Sequence, residues 1–93
     1  MISPIRYEYP IDDFHAETWT YWFMDRNMQL VLDHYQLQER ATKRHKWKVT
    51  KKWDRLGDRW LGGSNAIRRE DIPQREDVRA EVLRQFIERI TIE

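Results

Sequence analysis

The sequence predicts an α+β fold, a three- to four-stranded antiparallel sheet with a C-terminal helix packed on one face. Three observations predict it. Two runs rich in aromatic and β-branched side chains, TWTYWFM and LVLDHYQL, flank a polar DRNMQ. A third run, HKWKVTKKWDRL, alternates apolar and basic residues with a period of two. From Gln74 onward the apolar residues recur instead at helical spacing. In 93 residues these elements make one small domain with one modest core. Its expected parts are an arm or edge strand over 1–17, antiparallel strands over 18–56, a loop over 57–73 and a helix over 74–92.

The N-terminal segment alternates Ile5, Tyr7 and Tyr9 but carries prolines at 4 and 10. Proline cannot donate to a ladder, which confines the segment to an irregular arm or an edge strand. The next two runs form a hairpin around an Asn-containing turn. A two-residue turn at Arg26-Asn27 pairs Phe23 with Leu30, whereas a three-residue loop from Asp25 to Asn27 pairs Trp22 with Leu30. The two registers expose opposite faces, and both faces are partly apolar, so one is expected under the helix and the other under the arm or a partner.

In the third run, His45, Trp47, Val49, Lys51 and Trp53 point one way, and Lys46, Lys48, Thr50, Lys52 and Asp54 the other. The first set suits a core, with Trp47 and Trp53 inside it. The second suits water or an anion. The connection LGDRWLGGSNAIRREDIP follows, most flexible at Gly62 to Asn65. Val78, Val82, Leu83, Phe86, Ile87 and Ile90 then form the apolar stripe of the helix. Asp and Glu near its start suit the helix dipole.

Charge is segregated. Residues 1–39 hold two basic and seven acidic residues, residues 40–69 eleven and two, and residues 70–93 four and seven. The net charge of +1 therefore hides a basic middle between acidic ends. Lys46, Lys48 and Lys52 are expected as a row with about 6.6–6.8 Å between neighbours two residues apart. Arg40, Lys43 and Arg44 extend it, and Arg55, Arg59, Arg68 and Arg69 continue it. Such a row can follow nucleic-acid phosphates; it can equally be a wet face that keeps a strand from pairing with others. Aromatic side chains beside the cations, which would suit base stacking, are not expected. Trp60, next to the glycines, is a candidate contact residue, either exposed or tucked under its loop.

Other classes of function find little. The chain has no cysteine, which removes disulfides and thiolate chemistry. His15, His34 and His45 lack metal-ligand spacing, and there is no nucleophile motif or phosphate loop. No enzyme activity, cofactor or metal is expected. No run is long and apolar enough to span a bilayer, which makes the cytoplasm the expected location and leaves no membrane contact.

At ERATKRHKWKVTKKWDRL, followed by IRREDIPQREDVRAEVLRQF, the chain resembles small accessory proteins of tailed phages and prophages. Anti-CRISPR proteins are prominent among these. The resemblance implies a non-enzymatic protein of the bacterial host cytoplasm that binds and inhibits a host protein or ribonucleoprotein complex, with nucleic-acid phosphates as a further contact. Two other readings stand beside it. One is a free-standing DNA- or RNA-binding protein; the other is an assembly protein that oligomerises through a strand edge.

Overall fold

The computed structural model describes residues 2–57 and 64–92. Its elements are β1 (Ile5–Asp12), β2 (Ala16–Met24), β3 (Leu30–Glu39), β4 (Lys48–Asp54), a single 3-10 turn (Arg69–Asp71) and α1 (Glu76–Ile92). The four strands form an antiparallel meander in the order β1-β2-β3-β4. The N-terminal segment is thus an edge strand. It pairs beside β2 and does not cover a face.

The register of the first hairpin matches neither expected turn. Met24 pairs with Leu30, Phe23 with Val31 and Trp22 with Leu32. The loop is five residues, 25–29, and Asp25 organises it. Its carboxylate accepts the backbone N–H of Asn27 at 2.9 Å and of Gln29 at 2.8 Å. Met28 takes a positive φ of 60°, a conformation costing a side-chain-bearing residue about 1–2 kcal/mol. The loop therefore depends on Asp25. Asp25→Ala is expected to lower stability by about 1 kcal/mol in urea titrations, with an unchanged m-value.

Three single-residue insertions interrupt the ladders: Ile11 near the end of β1, and two more that reset the faces of β3 and β4. Tyr21 pairs with His34 but Trp22 with Leu32, which leaves Asp33 as the extra residue of a bulge. Leu37 pairs with Lys51 but Gln38 with Val49, which makes Thr50 a second one. Residues directly opposite share a face. One face thus carries Ile5, Tyr7, Tyr9, Thr18, Thr20, Trp22, Leu32, Tyr35 and Trp53, and it holds the core.

That core has two parts. Ile5, Trp22 and Leu30 pack against Val78, Val82 and Phe86 of α1. Tyr35 and Trp53 pack under Ile72, with Ile67 alongside, so the connection before the helix covers the β3–β4 half of the sheet. Burial pushes the hydroxyl pKa of Tyr9 and of Tyr35 above the ordinary value. The helical stripe is narrower than its sequence suggests. Val78, Val82 and Phe86 are buried, but Leu83, Ile87 and Ile90 are exposed. At about 100° per residue, the first three span an arc of roughly 80°, and the others lie beyond it on one side. On the polar side Arg84 bridges Glu81 and Glu88, each at 2.6 Å, and holds the Glu81 carboxyl down at about 2.

The outer edge of β4 is covered over part of its length. Lys52 donates its backbone N–H to Asn65 at 2.9 Å and accepts from Ile67 at 3.0 Å. The Asn65 side-chain amide adds a bond to the Val49 carbonyl at 2.8 Å. No described strand pairs with the outer edge of β1. Among the described residues no helix is long and apolar enough to cross a membrane.

Candidate functional site

The basic residues fall into separate groups, and the bulge at Thr50 is the cause. Lys52 lies opposite Gln36, whereas Lys48 lies opposite Glu39. Gln36 and Glu39 point to opposite faces of β3. Lys48 and Lys52 therefore do not belong to one row, contrary to the uninterrupted alternation. Val49, expected in the core, joins Gln38 on the other face and is half-buried.

Arg40, Lys43, Arg44, Lys46 and Lys48 do come together. They occupy the β3–β4 connection and the first residue of β4. The short β1–β2 turn, residues 13–15, packs against this connection and fixes it. The Arg40 backbone N–H donates to the His15 carbonyl at 2.9 Å, and the Arg40 Nε donates to the Phe14 carbonyl at 2.6 Å. His15 Nδ1 donates back to the Arg40 carbonyl at 3.3 Å. The Arg40 guanidinium also lies 4.0 Å from the Trp47 ring centre, and Lys43 Nζ lies 3.4 Å from that of Phe14. Each such contact contributes about 0.5–1 kcal/mol at an exposed site. Trp47 is thus half-buried beneath a guanidinium and not in the core, while Trp53 is a core residue as expected.

This division assigns roles. Arg40 and Lys43 are occupied in shaping the tip. Arg44, Lys46 and Lys48 are exposed and have no carboxylate within ion-pair distance among the described residues. Arg40, Lys46 and Lys48 line a groove of about 640 Å³ together with His15, His45 and two carboxylates, Asp12 and Glu39. Glu39 accepts the Thr50 hydroxyl at 3.1 Å.

The remaining candidates stand apart. Arg55 follows the far end of β4, seven residues from Lys48, which is about 23 Å of strand. There it donates to Asp33 at 3.0 Å and lies 5.2 Å from the Phe23 ring centre. Arg68 lies 3.8 Å from Glu70, and Arg69 begins the 3-10 turn. Arg59, Trp60, Gly62 and Gly63 fall outside the described residues.

The second face of the sheet has no covering layer among the described residues. It reads as rows across the strands. Arg6, Tyr21, His34 and Asp54 form one row, and Glu8, Trp19, Gln36 and Lys52 the next. Pro10, Glu17, Gln38 and Val49 follow on one side, and Phe23 with Val31 on the other. Aromatic side chains and cations therefore do share a face, contrary to expectation. The Arg6 guanidinium lies 3.8 Å from the Trp19 ring centre and bonds Glu8 at 2.9 Å. Trp19 Nε1 donates to Glu17 at 2.7 Å, and Gln38 donates to the same carboxylate. His34 lies 3.4 Å from Asp54. Burial acts to raise the Asp54 carboxyl, but the backbone N–H groups of Leu56 and Gly57, with His34, outweigh it and hold the carboxyl below its ordinary value.

The signal for this face lay in TWTYWFM, where Trp19, Tyr21 and Phe23 share one parity and Thr18, Thr20 and Trp22 the other. Among the described residues no group of three His, Asp or Glu is arranged to hold a metal. Comparison with protein-family models, characterised proteins and solved structures finds no match to this chain.

Proposed function

We propose that this is a small binding protein whose β3–β4 hairpin seats on the nucleic-acid phosphates of a host nucleoprotein complex and inhibits that complex by occupying its surface. One observation carries the reading. Arg44, Lys46 and Lys48 lie within five residues on a tip whose shape is held by other residues, and none has a described carboxylate within ion-pair distance, although Glu39 faces Lys48 across the strands. Like charges held together repel, and a polyanion relieves that repulsion while releasing its own counterions. A pre-shaped tip also loses little side-chain and loop freedom on binding.

The wet-face explanation accounts less well for the same residues. Keeping β4 from pairing with another strand requires charge along its edge, and the segment around Asn65 already covers part of that edge.

Capture from bacterial lysate with a tagged chain tests the reading, using nuclease-treated and untreated halves. Protein subunits retained after nuclease support a nucleoprotein target. Loss of all captured material with the nucleic acid leaves a free-standing polynucleotide binder. An empty capture in both halves removes the phosphate-binding role.

A further inference from the structure

We propose that the uncovered face of the sheet docks a second copy of this chain, closing into a two-sheet sandwich with the helices outside. The argument is independent of the hairpin and rests on how charges are distributed over that face. Arg6 and Asp54 occupy the two edges of one row; Glu8 and Lys52 occupy the two edges of the next. Sign therefore alternates both across the sheet and along the edge strands.

Consider a two-fold axis parallel to the strands, midway between β2 and β3. It lays Arg6 over Asp54 of the second copy, and Glu8 over Lys52 of the second copy. It also sets Tyr21 over His34, Glu17 over Gln38 and Phe23 over Val31. Opposite charges meet at the rim, hydrogen-bonding groups meet inside it, and apolar groups meet at the end. A two-fold perpendicular to the strands, centred between the two charged rows, also pairs the four charges but brings Phe23 against Glu17. The parallel axis is therefore the better fit. Each contact occurs twice, as an isologous interface requires. Packed sheets keep their strands within about 30° of one another, which preserves the row correspondence near the centre.

The composition fits the same occupant. Aromatic residues occupy the inner strand β2, while the oppositely charged pairs lie on the edge strands, the usual division of a protein interface into anchor and rim. A polyanion fits poorly. Glu8, Glu17, Asp33 and Asp54 on and beside this face outnumber Arg6, Lys52 and Arg55. The phosphate-binding chemistry of the hairpin does not extend onto it.

Four strands present fewer residues than the roughly 20–30 a side of a standard interface, so a reversible dimer with Kd of about 1–100 µM is expected. Sedimentation equilibrium of the full chain from about 1 µM to 1 mM, bracketing that range, reads it directly. Lys52→Glu is expected to raise Kd at least tenfold, since each copy contributes one reversed contact, and Glu8→Lys is expected to do the same. The double variant Glu8→Lys/Lys52→Glu restores the pairing and returns Kd to within about threefold of the starting value. Circular dichroism and thermal unfolding check that each variant folds.

A monomer across the whole range overturns the proposal. So does a dimer whose Kd ignores Lys52→Glu or does not recover in the double variant. A monomer that binds a single-stranded oligonucleotide and loses it on Tyr21→Ser overturns it in favour of base stacking.

Discussion

Replacing Arg44, Lys46 and Lys48 together with glutamate is expected to lower affinity for nucleic acid by about two orders of magnitude at 0.15 M salt. The magnitude follows from counterion release. Each lost phosphate contact removes about 0.9 from the salt slope on duplex, or about 0.7 on a single strand. At that salt one contact is a factor of roughly five, and three give about a hundredfold. Titrations at several salt concentrations should show the slope falling by about two to three, with the curves of the two proteins converging toward 1 M. Arg68→Glu is the control, because Arg68 already lies near Glu70 and outside the hairpin. An unchanged slope in the triple variant would falsify the phosphate-binding role of the tip.

The largest effect on stability is expected at Phe86. Its side chain is fully buried and sits with Val82 and Val78 against Ile5, Trp22 and Leu30. Phe86→Ala removes a ring from a site the surroundings cannot fully refill, at a cost of about 3–5 kcal/mol. For a domain whose total stability is on the order of 5–14 kcal/mol, that is a large fraction. The thermal midpoint should drop by roughly 12–40 °C. Leu83→Ala and Ile87→Ala, two other members of the same apolar stripe, are each expected to cost less than about 1 kcal/mol, because both residues are exposed. Urea titrations of the three variants rank them. Equal losses at Phe86 and Ile87 would mean that α1 is seated on a different face.

That contrast marks how far the sequence reaches. Periodicity identified the strands and the helix because a strand and a helix each repeat their own pattern many times. It could not say which part of a wide apolar arc the sheet would meet, since the arc of Leu83, Ile87 and Ile90 is as apolar as the arc of Phe86. The bulges are harder still. Asp33 and Thr50 reverse the parity of everything beyond them, and neither is a glycine or lies next to one. An unbroken alternation therefore joined Lys48 to Lys52 and put Val49 in the core. The basic hairpin was legible because it needs only proximity in sequence, not a correct phase. The lock between Arg40, Phe14 and Trp47 was not, because it joins two turns that are distant along the chain. The uncovered face required the register of all four strands at once.

The two borders of the sheet differ in a way that bears on self-association. Hydrogen-bonded growth of a β-ribbon is a step polymerisation, and a monomer must offer two reactive ends for the chain to lengthen. Here the β4 end is partly terminated by the strip from Asn65 to Ile67, and the β1 end carries Pro10, which withholds one donor. A unit with one partly capped end tends to stop such growth: edge-on joining through β1 favours a pair over a fibre.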